Sequence, residues 1–272
     1  MLDGPPSHRT GLPLFAMQDV RKTFANGLEA LGAVTLTLPA EPEFLAILGP
    51  SGCGKSTLLR IAAKLDTPSS GKVGWPAFDE AREEGQDFPR GVLGFVFQEP
   101  TLMPWASVFD NVRLPLRIKG ESASASSDRV MAMLGRVGLG DFARAFPREL
   151  SGGMRMRASV ARALVTEPRL LLMDEPFAAL DEITRAKIER DLVSLWLASR
   201  FTIVFVTHSV FEAVFLASRV IVMTPRPGRI AADLAIDAPY PRDEDYRLSA
   251  AYIAQCREVS AALARAMGEA RP

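Results

Sequence analysis

The sequence lacks a net charge and has very little cysteine. Its 272 residues include 32 Lys and Arg residues and 32 Asp and Glu residues. Without an excess of positive charge, no electrostatic footprint for nucleic acid is present, so no nucleic-acid partner is predicted. The two cysteines, Cys53 and Cys256, are far apart and have neither disulfide-framework nor zinc-site spacing. This cysteine usage fits a reducing cytosol.

Long apolar runs are also missing. The longest, such as residues 201–206, fall far short of the roughly 20 residues that cross a bilayer, so no membrane span is predicted. Residues 1–13 contain no apolar core of a secretory signal and are expected to form a flexible tail. The overall content of 48% hydrophobic and 24% charged residues is typical of a globular protein.

The order of predicted elements indicates an α/β fold with a mostly parallel sheet. Residues 14–38 contain two β-rich runs joined by the turn-prone Ala25-Asn26-Gly27, which predicts an antiparallel β subdomain at the front. Further along, apolar strands alternate with helical patterns, and this alternation favours parallel strands covered by helices. These predicted strands are residues 44–48, 92–97, 169–173, 202–207 and 220–223.

A helical subdomain is predicted at about residues 100–166, inserted into a domain that spans residues 14–230. The serine-rich residues 121–127 are expected to connect two helices, with Ser127 or Asp128 as the N-cap of the second. Residues 231–272 form a C-terminal extension that is partly helical. No internal repeat is present, so one such domain per chain is predicted.

A glycine-rich loop follows the strand at residues 44–48 and opens a helix. It matches the phosphate-binding pattern G-x-x-x-x-G-K-[ST], in which backbone N–H groups surround phosphate oxygens. Lys55 is expected to reach the β- and γ-phosphates of ATP or GTP, and Ser56 to ligate Mg²⁺. Cys53 occupies a free position of the pattern and is assigned no chemistry. The predicted cofactor-binding residues here are Gly49, Pro50, Ser51, Gly52, Cys53, Gly54, Lys55, Ser56 and Thr57.

Two carboxylates end the apolar strand at residues 169–173. Asp174 and Glu175 therefore lie at the carboxyl edge of the sheet, where open α/β folds bind ligands. Asp174 is predicted to hold Mg²⁺, directly or through water, and Glu175 to polarise an attacking water. A strand that ends in Asp-Glu is common, and a purely structural role is the alternative.

A second candidate anion site lies at Ser151, Gly152 and Gly153, which precede a helical run. Its alternative is a structural N-cap. Residues 150–155 resemble the signature of ABC ATPases, and this resemblance implies a P-loop NTPase core with the antiparallel and helical subdomains described above. It also implies a head-to-tail homodimer, in which ATP lies between the phosphate loop of one chain and the signature of the other.

Further positions resemble motifs of that family. Gln98 is similar to the glutamine loop, which implies a catalytic role and a contact with Mg²⁺, and Asp181 is similar to the D-loop. His208 resembles the switch histidine, and Phe24 resembles the aromatic side chain that stacks on adenine. For Phe24, a plain core position is an equal alternative. Two departures, Met156 after the signature and Ala178-Ala179 before the D-loop, remove no phosphate ligand.

Residues 175–181 and 225–230 look like the nitrate, sulfonate and taurine importer group, whose members also handle vitamin precursors. The resemblance implies a peripheral ATPase at the cytoplasmic face of the inner membrane, working with integral membrane permease subunits and, indirectly, an extracytoplasmic solute-binding protein. Exposed apolar residues after Gln98 are expected to anchor a permease helix. These residues are Leu102, Met103, Pro104 and Trp105.

Two rival functions remain at this stage. One is an ABC ATPase of DNA repair, chromosome organisation or translation, but this chain has neither the long coiled-coil insertion nor the second cassette usual in those relatives. The other is a sensor that binds ATP only to dimerise, which the presence of Glu175 and His208 disfavours.

Overall fold

The computed structural model describes residues 11–78 and 91–268. Residues 1–10 of the predicted tail lie outside this part of the chain. The strands are β1 (Phe15–Thr23), β2 (Glu29–Leu38), β3 (Phe44–Leu48), β4 (Ser70–Gly74), β5 (Leu93–Val96), β6 (Leu170–Asp174), β7 (Thr202–Thr207), β8 (Arg219–Met223) and β9 (Ile230–Ala235). The helices are α1 (Lys55–Ala62), α2 (Val108–Ile118), α3 (Ala123–Arg136), α4 (Gly152–Leu164), α5 (Glu182–Ser199), α6 (Val210–Leu216), α7 (Glu244–Leu248) and α8 (Ala250–Gly268).

The chain divides into two compact units, and the first comprises residues 1–90 and 202–272. Its antiparallel sheet has the order β2-β1-β4. The predicted turn closes the β1–β2 hairpin, since the N–H of Gly27 donates to the carbonyl of Phe24 at 2.9 Å and Gly27 has a φ of 81°. The front antiparallel subdomain is therefore confirmed.

The first unit also contains parallel strands. Strand β3 pairs in parallel with β7 on one side and with β8 on the other, and β9 adds to β8 in the antiparallel direction. Every residue of β3 and β7 is buried, as expected for strands covered on both faces. Helix α8 packs against α6 and β8.

The second unit, residues 91–201, contains the parallel pair β5–β6 and the helices α2 to α5. Helices α2, α3 and α4 pack on one another, in agreement with a helical subdomain. The prediction that Ser127 or Asp128 caps the second helix is wrong. Ser122 is the N-cap of α3, and Ser126 is buried inside the helix, where its hydroxyl accepts from Arg113 Nε at 3.0 Å.

Strands β4 and β9 and the short helix α7 are elements that the sequence patterns did not indicate. Strand β4 contains two glycines, and none of its residues is buried, so it has no apolar alternation to reveal it. Among the described helices, none combines the length and the hydropathy that a bilayer crossing requires.

Candidate functional site

The glycine-rich loop joins β3 to the amino end of α1. Gly52 and Gly54 have φ values of 74° and 103°, which L side chains rarely adopt. A Cβ on Gly54 would also lie 2.7 Å from the carbonyl oxygen of Ala30. The first N–H groups of a helix have no intrahelical acceptors. The turn therefore places these N–H donors at the start of α1, where they form a cradle that can bind an anion.

The lysine of the loop is folded back over it. Lys55 is 4% exposed, and its Nζ donates to the carbonyl oxygens of Gly49 at 2.8 Å and Pro50 at 3.0 Å. The ammonium charge is therefore held against the loop instead of extending into solvent. Ser56 and Thr57 follow in the first turn of α1, and Cys53 is buried beneath. The cradle and its hydroxyls fit a nucleotide phosphate with a hard cation such as Mg²⁺.

A turn at residues 224–229 supports the glycine-rich loop from behind. The Arg226 guanidinium donates from Nε and Nη2 to the carbonyl oxygen of Gly52, at 3.1 and 2.8 Å. The N–H of Gly228 donates to the carbonyl of Ala30 at 3.0 Å, and a Cβ on Gly228 would lie 2.0 Å from the carbonyl oxygen of Cys53. Sequence reasoning noted this segment only as a family resemblance and missed its contact with the loop.

Sheet register brings His208 to the same edge as the glycine-rich loop. Leu48 at the end of β3 pairs with Thr207 at the end of β7, so Gly49 and His208 leave adjacent parallel strands side by side. The His208 side chain is exposed. This placement is what an α/β ligand site at the carboxyl ends of strands requires.

Phe24 lies beyond the end of β1. Phe24 is 37% exposed, and Lys22 Nζ lies 5.2 Å from the centroid of its ring. The alternative that Phe24 is a plain core residue is therefore excluded. An exposed aromatic face of this kind is available to stack on a flat ligand.

Gln98 and the two predicted carboxylates, Asp174 and Glu175, lie at one edge of the β5–β6 pair in the second unit. Val96 on β5 pairs in parallel with Met173 on β6, so Gln98 emerges at the same edge as Asp174 and Glu175. Asp174 is buried, and Glu175 is half-buried with a φ of 44°, in the left-handed region. Such backbone strain in a residue other than glycine or asparagine persists where the surroundings enforce it, often at active sites.

The signature residues and Asp181 also lie together. Ser151 is the N-cap of α4, and its hydroxyl accepts from the N–H of Met154 at 3.3 Å. A Cβ on Gly153 would lie 2.4 Å from Thr184 Cγ2 on α5, so packing of α5 requires a glycine there. Asp181 caps α5 by accepting from the N–H of Thr184 at 2.9 Å, and hydrogen bonding from Thr184 lowers the pKa of Asp181.

Ser151 thus does act as a structural N-cap, the alternative named above, through its hydrogen bond with Met154. Because Ser151 remains exposed, its hydroxyl and the amino end of α4 are still accessible to an anion.

The loop after Gln98 is anchored by two side chains that hydrogen-bond to its backbone, Asn111 and Arg162. Asn111 is fully buried, and its side chain bonds the backbone of Met103 in both directions, at 2.7 and 3.1 Å. Arg162 on α4 donates to the carbonyls of Pro100 at 2.9 Å and Thr101 at 2.8 Å. Burial lowers the pKa of Arg162. These bonds join the signature helix to the loop.

The expectation of four exposed apolar side chains in this loop is partly wrong. Pro104 is exposed and Trp105 is 76% exposed, whereas Leu102 and Met103 are half-buried because the loop folds onto its own anchors.

Comparison with known proteins gives one consistent result. Residues 31–178 match the family model described as ABC transporter. The taurine import ATP-binding protein TauB of Rhizobium johnstonii is 45% identical over 79% of this chain and 79% of its own length. The aliphatic sulfonates import ATP-binding protein SsuB 1 of Mesorhizobium japonicum is 46% identical over 85% of this chain and 83% of its own.

A solved structure gives the corresponding result for the fold. The dimeric ATP-binding cassette MJ0796, in a post-hydrolysis state bound to ADP and Pi, aligns with a TM-score of 0.72 at 33% identity. The alignment covers 83% of this chain and 100% of that one. The predicted ABC ATPase fold, a P-loop NTPase core with its antiparallel and helical subdomains, is confirmed.

Proposed function

This chain belongs to the ABC transporter family as one of its ATP-hydrolysing subunits, and from that membership we propose that it powers import of a small solute through separate membrane subunits. One observation carries the proposal. A single chain presents both a phosphate cradle at α1 and an accessible, glycine-lined helix start at α4. Two such anion sites in one chain are expected if each nucleotide is held by two copies of it.

We propose the following roles for the site residues. Lys55 and the amides of α1 bind the β- and γ-phosphates, with Arg226 and Gly228 holding the loop in shape. Ser56, Asp174 and Gln98 supply the hydroxyl, carboxylate and amide oxygens that suit Mg²⁺, which neutralises phosphate charge when bound. Glu175 orients the attacking water and accepts its proton, while His208 donates a hydrogen bond toward the γ-phosphate.

The active assembly is a head-to-tail homodimer. Ser151 to Gly153 of one copy cap the triphosphate cradled by Lys55 of the other, and Asp181 lies at this interface. Contact between the α4 start and α5 through Gly153 supports this, since closure then moves the signature and Asp181 together. Phe24 stacks on the adenine.

Closure of the dimer is passed to the permease through the loop after Gln98. Arg162 supports this route because it bonds α4, which begins at the signature, to the carbonyls of Pro100 and Thr101. Pro104 and the highly exposed Trp105 then provide the apolar contact for a permease helix. The chain works at the cytoplasmic face of the inner membrane and meets the extracytoplasmic solute-binding protein only through the permease.

The proposed cargo is a small organic sulfonate such as taurine. The names of relatives at 43–46% identity, which specify import of taurine or aliphatic sulfonates, support this class. Nitrate and vitamin precursors are the alternatives within the same importer group.

The test is reconstitution of the chain with its permease and binding protein in vesicles. With the ATPase subunit facing the outer solution, taurine and its binding protein enclosed in the vesicle should raise phosphate release and cause transport of taurine out of the lumen, and Glu175→Gln should abolish both. Steady phosphate release would exclude the ATP sensor. Failure of the chain to copurify with membranes that contain the permease would favour the soluble ABC ATPase and overturn the proposal.

A further inference from the structure

The C-terminal segment, residues 240–252, contacts the short helix α6, which follows His208. Helix α6 has only seven residues, and a helix of that length is not stable alone in water. Its final carbonyls have no intrahelical donors. The structure supplies those donors from Tyr240 and Arg242, 24 to 28 positions further along the chain. The position of α6 therefore depends on a segment that the proposed mechanism leaves unused.

Arg242 is the centre of this arrangement. It is 2% exposed, and its Nη1 donates to the carbonyls of Val214 at 2.8 Å, Phe215 at 3.1 Å and Ala217 at 2.8 Å. The carboxyl end of a helix carries partial negative charge, so a buried guanidinium is stabilised there. The ring of Tyr240 lies 4.2 Å from the guanidinium carbon.

Two tyrosines complete the contact with α6. Tyr240 donates its hydroxyl to the carbonyl of Leu216 at 2.6 Å, and burial raises the Tyr240 pKa to about 12, which keeps the hydroxyl protonated. Tyr252 on α8 donates to the carbonyl of Phe211 at 2.9 Å. The C-terminal segment thus contacts both ends of α6.

The amino end of α6 is bonded to the residue before His208. The hydroxyl of Thr207 donates to Glu212 Oε2 at 2.5 Å and accepts from the N–H of Ser209 at 2.9 Å. Ser209 is itself the N-cap of α6. His208 is therefore fixed between β7 and a helix whose far end is held by Arg242.

We propose that Arg242 is a positioning residue for ATP hydrolysis: by anchoring the carboxyl end of α6, it fixes the place of His208 at the other end. This inference rests on the proposed role of His208. Arg242 does not touch the glycine-rich loop in the described contacts, so it should affect the chemical step more than nucleotide binding.

The test is a double-mutant cycle on the full chain with Mg-ATP. His208→Ala is expected to lower kcat by about a hundredfold or more. Arg242→Met should lower kcat by about ten- to a hundredfold through misplacement of His208, with KM changed less than about threefold. Combined with His208→Ala, Arg242→Met should cost nothing further, since both act through one group. Arg257→Met, an exposed change on α8, is the matched control and should leave kcat unaltered.

The outcomes separate the inference from the function on which it rests. Unchanged kcat in Arg242→Met, beside a lowered kcat in His208→Ala, overturns the inference alone, as does a full additional loss in the double variant. Unchanged kcat in His208→Ala overturns the role of His208 and the inference with it. If Arg242→Met gives no cooperative melting transition, Tyr252→Phe takes its place in the same cycle. Tyr252→Phe should lower kcat by a smaller factor than Arg242→Met. If Tyr252→Phe lowers kcat by the same factor in the His208→Ala background as in the original chain, the inference is overturned.

Discussion

Adding one methyl group at Gly228 should weaken ATP binding. A Cβ at this position would lie 2.0 Å from the carbonyl oxygen of Cys53 and 2.8 Å from Met223 Cε. The methionine end can move, but the oxygen belongs to the backbone of the glycine-rich loop. Gly228→Ala must therefore displace either that loop or the turn at residues 224–229. Overpacking of this kind costs about 1–3 kcal/mol.

If the loop bears that cost, the Kd for ATP rises by about 5- to 150-fold, which isothermal titration calorimetry can measure. The control is Gly135→Ala in α3, where a Cβ has no neighbour within 4 Å. That change should leave the Kd unaltered and stabilise the helix by about 0.5–1 kcal/mol. A Gly228→Ala variant that melts earlier but keeps the original Kd would place the strain in the turn and refute the reasoning.

Three other predictions follow from the described contacts. Lys55→Ala should abolish ATP binding in calorimetry, because it removes the ammonium held over the loop; unchanged affinity would refute its role. Glu175→Gln should keep ATP binding but run as a stable dimer in gel filtration with Mg-ATP, and a monomer there would count against the proposed water activation. Glu43 lies 3.4 Å from Arg219, yet burial raises the pKa of Glu43 above its usual 4.5 despite that partner. A raised carboxyl pKa stabilises the fold below pH 4.5 and loses that contribution as pH rises through the folded value. Glu43→Gln should therefore be neutral or stabilising in urea unfolding near neutral pH, with its advantage vanishing below pH 4.5; strong destabilisation at neutral pH would contradict this.

The elements that sequence predicted well are those with their own local signal. The loop at residues 49–57 combines fixed glycine spacing with a strand before it and a helix after it, and all three features are found together. Strands β3 and β7 are continuous apolar runs of the length expected for buried strands. These patterns need no knowledge of distant neighbours.

The missed elements depend on partners far along the chain. Strand β4 exists because β1 offers it an antiparallel edge, and its own residues carry no buried side chain. The prediction places the start of helix α3 too late because a run of serines alone suggests a loop, whereas the Ser122 hydroxyl caps the helix and Ser126 is buried against Arg113. Strand β9 alternates in burial along Ile230–Ala235, but three of its six residues are alanine, so its sequence shows no clear alternation of apolar and polar residues.

In the candidate site, too, some features have a local sequence signal and others depend on distant residues. Each motif could be recognised from residue types, but the support of Gly52 by Arg226 joins residues 174 positions apart, and no local pattern encodes it. The proximity of His208 to the glycine-rich loop likewise needed the β3–β7 register. Arg242 gave no sequence signal, since a lone arginine after proline is usually a solvated surface residue.

The central claim is that two chains share each ATP, and the most direct measurement is a structure of the Glu175→Gln variant with Mg-ATP. The account predicts a γ-phosphate contacted by Lys55 of one copy and by Ser151 of the other. A dimer in which Ser151 faces solvent, or a nucleotide bound wholly within one copy, would contradict it.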